Sequence, residues 1–173
     1  MPTIKLFYGT DSGLTEGVAK TIVREMPEVL GPFDIARASP ADFAGAEAFI
    51  FCMPTYGDGE MQDDWNNFYH DLAECGLAGK PVALVGLGDQ VGYGHEFVNG
   101  LKLLYDRVVE LGGVIVCLWP VEGYDFSHSE AIVDGQFVGL ALDESNYPDQ
   151  TEDKLAQWIP LVREAFAAQI LTV

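Results

Sequence analysis

Short apolar runs alternate with longer amphipathic stretches along this chain. Residues 3–8, 33–36, 46–53, 80–86 and 114–118 are brief and rich in Ile, Val, Leu, Phe and Ala, the pattern of strands covered on both faces. Between them apolar residues recur at helical spacing. Leu14, Val18, Ile22 and Met26, with Ala19, Val23 and Leu30, form the first stripe. Trp65, Phe68, Tyr69 and Leu72 form the second. Phe97, Leu101, Leu104, Val108 and Leu111 form the third, stopped by Gly112 and Gly113. A last helix is predicted over 151–170, with Leu155, Trp158, Ile159, Val162 and Phe166 inward and a kink at Pro160. Gly31 and Pro32 read as a turn into the second strand, and 40–43 as a brief helical loop.

Strands that alternate with helices predict an α/β fold. It is a doubly wound, five-stranded parallel sheet with right-handed crossovers and helices on both faces. Segment 120–150 breaks the alternation. Its run 136–143 reads as a short strand pair or edge extension, and the whole segment as an insertion in the fifth strand. The expectation is one domain spanning 1–173.

In such sheets ligands bind beyond the carboxyl ends of the strands. Loops 9–15, 54–61 and 87–94 all follow strands, so they should meet at one rim. The first is strand, Gly/Ser/Thr turn, helix, which gathers free N–H groups and the positive end of a helix dipole at one point. Thr10, Ser12 and Thr15 add hydroxyls, and Gly13 permits close approach of the backbone. A plain capping box, with Ser12 or Thr10 as N-cap and Thr15 or Glu16 completing it, is the competing reading. Convergence of three loops favours the anion site. There is no Gly-Lys-Ser/Thr and no Gly-x-Gly-x-x-Gly in this loop, so nucleoside triphosphates and dinucleotides are disfavoured. Gly86 and Gly88 lack the third glycine of a dinucleotide loop, since Val91 stands there. What remains is a terminal phosphate monoester held by neutral donors.

Charge narrows the partners. The chain of 173 residues is 49% hydrophobic, enough for a sizeable core, and carries a formal net charge of −18. That excess argues against nucleic acid and anionic membranes, and for partners with basic docking faces. Three cysteines, Cys52, Cys75 and Cys117, form no metal knuckle or redox pair; Cys52 and Cys117 are expected to be buried. His70, His95 and His128 lack metal-ligand spacing and are assigned to surface or interface positions. No signal peptide, lipid anchor or spanning segment is evident, which suits a cytoplasmic protein. No nucleophile–base constellation appears.

The second and third loops each carry an aromatic residue, Tyr56 and Tyr93, able to sandwich a flat ligand. Lys and Arg are absent from all three loops, while Asp11, Asp58, Glu60, Asp63, Asp64 and Asp89 crowd the region. A ligand gaining negative charge there is disfavoured, so a redox-active ring held there would be a strong reductant. The peptide joining Gly57 to Asp58, with Gly59 beside it, can reverse at low cost and present a carbonyl to an N–H formed on such a ring when it is reduced.

These residues together resemble the flavodoxin family. Thr10, Asp11, Ser12, Gly13, Leu14, Thr15 and Glu16 resemble its phosphate loop. The run from Pro54, Thr55, Tyr56 and Gly57 to Trp65 resembles its second flavin loop, and the run from Gly86 through Leu87, Gly88, Asp89, Gln90 and Tyr93 to Gly94 its third. Trp119 and Pro120, with the runs 123–126 and 139–144, resemble the inserted segment of the long-chain class. The resemblance implies strand order 2-1-3-4-5, non-covalently bound FMN, and a monomeric low-potential one-electron carrier between a reductase and acceptor enzymes, not an enzyme itself. It assigns residues 10–15 to the phosphate, Tyr93 to one flavin face, and Thr55, Tyr56, Gly57, Asp58 and Gly59 to the other. Asp89 falls by the pyrimidine end, mainly through backbone. Two departures are Tyr56, where many relatives carry Trp, and Leu14, where a polar residue is more usual. The rival readings are a flavin-dependent quinone reductase on the same fold and a signalling receiver domain. The receiver lacks its acidic cluster, phosphoacceptor Asp and Lys.

Overall fold

The computed structural model describes residues 2–56 and 59–171. Along the chain come β1 (Ile4–Tyr8), α1 (Leu14–Glu25), β2 (Val29–Asp34), β3 (Ala48–Tyr56), β4 (Glu60–Met61) and α2 (Asp63–Phe68). β5 (Pro81–Leu87), α3 (Asn99–Glu110) and β6 (Val114–Ile115) follow. After β7 (Trp119–Pro120), β8 (Ile132–Val133), β9 (Gln136–Phe137) and β10 (Leu140–Leu142), α4 (Thr151–Leu171) ends the described chain. The main sheet runs β10-β5-β3-β1-β2, parallel throughout this path, with β6 also paired to β5. This is the expected parallel α/β fold.

The fifth strand is the informative departure. The apolar run 114–118 predicts one strand, yet only Val114 and Ile115 pair with β5, at its start. Cys117 takes a left-handed φ of 63° and turns the chain out of the sheet. The strand resumes at β10, which pairs with the far end of β5, Leu140 opposite Val85 and Leu142 opposite Leu87. Between the two halves lies a small antiparallel sheet, β7-β9-β8. Cys117 is accordingly half-buried rather than buried.

Two further expectations are corrected. β2 starts at Val29, before the glycine and proline read as a turn. Lys5 pairs with Leu30 and Phe7 with Phe33, so β2 carries one extra residue, a bulge that an edge strand tolerates around Gly31 and Pro32. Leu30 consequently sits exposed in β2 rather than inward on α1.

Burial follows the pleat. β3 is buried from Ala48 to Pro54 and β5 along its whole length, as central parallel strands require. Phe7 stacks on Phe43 at 3.8 Å, and Phe43 on Phe68 at 5.5 Å, with Phe49, Phe51 and Trp65 completing an aromatic layer. α1 and α4 are tied by Arg163, which donates to Glu28 and to the Glu25 carbonyl. Arg107 of α3 donates to the Tyr69 carbonyl just beyond α2. The reversal of winding on either side of β1 and β3 puts these two helix pairs on opposite faces. No helix among the described residues is long and apolar enough to cross a membrane.

Candidate functional site

β1, β3, β5 and β10 all end at one rim, and a cavity of about 310 Å³ opens there. Ser12, Leu14 and Thr15 line it from the first loop, and Pro54 and Thr55 from the second. Leu87, Gly88, Asp89 and Tyr93 line it from the third. Glu96, Val98, Glu144 and Ser145 complete the wall. A space of this size suits a small organic ligand, and among the described residues its lining contains no Lys or Arg.

In the first loop the capping box does not form. Gly13 is the N-cap of α1, in a left-handed conformation at φ 91°, and no side chain caps the helix. Gly13 N–H donates to Thr10 Oγ1 at 3.0 Å, and Leu14 N–H to Ser12 Oγ at 3.4 Å. The first hydrogen bond back along the helix is from Gly17 N–H to the Gly13 carbonyl. The N–H groups of Thr15 and Glu16 therefore have no acceptor among the described residues, as expected at a helix start. Thr10, Asp11 and Gly13 shape the turn without lining the cavity; Asp11 accepts from Gln62 Nε2 at 3.3 Å. Leu14 is expected on the inward stripe, but it is 44% exposed at the rim, where it lines the cavity.

The second loop is described in part. Gly57 and Asp58 lie outside the described residues, as does the side chain of Tyr56. Thr55 Oγ1 accepts from Gly100 N–H at 3.1 Å, which ties the loop to the start of α3. Gly59 takes φ 78°, and a Cβ there would meet Asn99 at 2.9 Å. At Gly100 a Cβ would lie 2.6 Å from the Glu60 carbonyl oxygen and 3.2 Å from Thr55 Oγ1. Gly100→Ala should therefore cost about 1–3 kcal/mol of stability, read by urea unfolding, because backbone must give way. An unchanged midpoint would mean that the approach is looser than this geometry.

The third loop is held by carboxylates. Asp89 Oδ1 accepts from Gly92 N–H at 2.7 Å and Val91 N–H at 3.0 Å. The Gly92 bond above all holds the Asp89 carboxyl below the usual carboxylate range; burial opposes it, and the bonds from Asn146 and Val91 add lesser support. Asp143 is only 2% exposed and grips the loop from β10. Its Oδ2 accepts from Gln90 N–H at 3.0 Å and Gln90 Nε2 at 3.1 Å, and its Oδ1 from the N–H groups of Ser145 and Asn146. Gln90 Oε1 in turn accepts from Asp125 N–H at 2.6 Å. Gly94 lies outside the cavity lining, its carbonyl accepting from Ser127 N–H and His128 N–H. Tyr93 is 56% exposed and forms a ring wall.

Four lining residues escape the sequence reading. Val98 takes φ 50° at the N-cap of α3, a strained conformation for a β-branched residue that no glycine announces. Glu96 follows Tyr93 closely, its N–H donating to the Tyr93 carbonyl at 3.0 Å. Its Oε2 is buried and finds no donor among the described residues. Glu144 and Ser145 lie just past β10. The sequence signal for all four is position alone: each follows directly on a strand or loop that builds the rim. Burial pushes the Cys52 thiol up, so it is no nucleophile. His70, His95 and His128 are exposed, and no metal-binding cluster exists among the described residues.

A family model described as Flavodoxin matches residues 6–158. A flavodoxin of Synechocystis sp. is 43% identical over 165 residues, covering 94% of this chain and 97% of its own. One of Synechococcus elongatus is 40% identical over 168 residues, covering 96% and 99%. The crystal structure of Fusobacterium nucleatum flavodoxin bound to flavin mononucleotide matches with TM-score 0.89 at 34% identity, over 95% of this chain and 98% of that one. Similarity of that depth along nearly the whole length, on a sheet whose rim gathers the same three loops, places this chain in the flavodoxin family.

Proposed function

We propose that this chain is a long-chain flavodoxin, a low-potential carrier of single electrons that works with non-covalently held FMN. The observation that carries this is the cation-free cavity where three loops meet, with hydroxyls and unclaimed N–H groups at one end and an aromatic wall at the other. A phosphate monoester fits the first end and a flat ring the second. Ser12 and Thr15, with the amides of the first turn of α1, hold the phosphate, helped by the helix dipole. Thr10, Asp11 and Gly13 shape that turn. Tyr93 covers one ring face. Pro54, Thr55, Tyr56 and the stretch through Gly57, Asp58 and Gly59 cover the other, while Leu87, Gly88 and Asp89 close the edge. When bound, FMN supplies the capacity to take up and release one electron at a time. The protein's part is to exclude water, to orient the ring, and to surround it with carboxylates that oppose added negative charge.

The chain then acts as one domain over 1–173 with its insertion at 120–150, as a monomer in the cytoplasm, between a reductase and acceptor enzymes. Both partners dock by basic faces on its acidic surface. Titrating the purified apoprotein with FMN should quench flavin fluorescence at one equivalent, and NADH alone should not bleach the complex. Rapid bleaching by NADH would favour a quinone reductase instead.

Docking by charge also predicts a salt response. Raising ionic strength from about 0.01 M to about 1 M shortens the screening length from roughly 30 Å to roughly 3 Å. Stopped-flow electron transfer from a basic-faced reductase should slow at least tenfold, on the order seen for steered association. A rate indifferent to salt would remove the charged docking face.

A further inference from the structure

We propose that a hollow between α1 and the start of α4 is a binding site for a small, free alkylammonium ion, whose charge supports the phosphate end of the main cavity. The site itself does not depend on the FMN reading; the support it lends to a phosphate does. The hollow measures about 190 Å³. Gly13, Gly17 and the side chains of Leu14 and Val18 wall it on the α1 side. Glu144 and Thr151 stand opposite. Leu14 and Glu144 also line the main cavity, so the two spaces share a wall.

Two polar groups of this hollow lack partners. Thr151 is only 8% exposed, and its Oγ1 is buried with no hydrogen bond among the described residues. The Glu144 carboxylate makes no hydrogen bond or ion pair among them either. The cations that follow on the two helices are engaged elsewhere: Lys20 with Glu16 at 3.0 Å, and Lys154 with Gln150 Oε1 at 3.1 Å. Gly17 adds an independent sign. It lies inside α1, where glycine is unfavourable. A Cβ there would meet nothing within 4 Å, so close packing does not demand glycine. What the missing side chain does is leave the hollow open.

The chemistry of the walls selects the occupant. At about 30 Å³ per water-sized group, the hollow holds about six non-hydrogen atoms, more than a bare metal ion fills. A buried hydroxyl beside a free carboxylate calls for a positively charged donor. Thr21 Oγ1 donates to the Gly17 carbonyl at 3.0 Å and keeps lone pairs with which to accept. A primary ammonium has three N–H donors for these three acceptors, and a short aliphatic stem suits Leu14 and Val18. The half-charges at the starts of α1 and α4 oppose a cation. Glu144, the Glu152 and Asp153 carboxylates in the first turn of α4, and a bound phosphate outweigh them. A cation beside Glu144 also offsets repulsion between that carboxylate and the phosphate, so the two ligands strengthen each other.

The test follows the amide resonances of Gly17 and Thr151 in ¹⁵N-labelled protein during titration with n-butylammonium chloride. Sodium chloride and n-butanol, which separate charge from stem, are the controls. n-Butylammonium should bind saturably at about 1 mM, within reach of five non-hydrogen atoms. Glu144→Gln and Thr151→Val should each weaken it about tenfold. Thr151→Val should not lower the melting temperature, since it removes only a hydroxyl without a partner. With the amine saturating, FMN should bind about fivefold more tightly and riboflavin no differently. Equal shifts with sodium chloride or n-butanol would overturn the site, as would a lowered melting temperature in Thr151→Val. Binding of Nα-acetyl-lysine methylamide about tenfold tighter than n-butylammonium would assign the hollow to a protein lysine and overturn the free ion. Amine binding that left FMN affinity unchanged would overturn the coupling. Failure to bind FMN at all would overturn the FMN reading instead, with the amine site still read from the two resonances.

Discussion

Thr15→Asp should abolish useful binding of FMN while leaving riboflavin binding intact. Thr15 is buried in the first turn of α1 and lines the cavity. A carboxylate there would face the phosphate. At about 4 Å and an effective permittivity of about 20, two like unit charges repel by about 4 kcal/mol. That corresponds to roughly a thousandfold loss of affinity. The fold should survive, because an acidic residue in the first turn of a helix is favoured by the dipole. Isothermal titration of apoprotein with FMN and with riboflavin provides the measurement. Riboflavin carries no phosphate and should bind both proteins alike. Equal weakening of the two ligands would mean that the phosphate does not sit at the start of α1.

Asp143→Ala carries the second large effect. It removes the buried acceptor that holds Gln90, Ser145 and Asn146 together. The donors left behind lack partners, at about 3 kcal/mol in sum after partial access to water. For a chain of this size that is roughly 6–12 °C in melting temperature. The third loop also loses its register against the insertion, since Gln90 is the link from Asp143 to Asp125. FMN affinity should fall about tenfold or more, with Asp143→Asn intermediate because one acceptor oxygen remains. A melting temperature within error of the wild type would show that the buried carboxylate is not the anchor of this loop.

The rim itself was legible from the alternation of apolar runs and helical stripes. A strand followed by a glycine-rich or acidic loop, three times over, suffices to bring residues 9–15, 54–61 and 87–94 together, because parallel strands all point the same way. The remainder of the wall was hidden for separate reasons. Val98 reaches its left-handed conformation through packing, with Val98 itself fully buried, and local sequence holds no trace of it. Glu144 and Ser145 face the cavity only because β10 rejoins β5 after a long excursion. Reading 136–143 as a strand pair or edge extension captured an extended run but not its partner. The bulge in β2 was masked by Gly31 and Pro32, which punctuate turns far more often than edge strands. Leu14 obeys helical spacing but faces the cavity at the rim instead of the core.

The abutment of Gly59 on Asn99 has a mechanical consequence. Asn99 Oδ1 accepts from Glu130 N–H at 2.7 Å, and Phe97 N–H donates to the His128 carbonyl at 3.3 Å. Gly59 packs so near Asn99 that a Cβ there would stand 2.9 Å from it, so a shift of the chain toward Asn99 would press on the head of α3. From α3 the displacement passes to residues 128–130, which reach solvent at His128 and Glu130. What happens inside the rim thus has a short, stiff route to an outer face that another protein can touch.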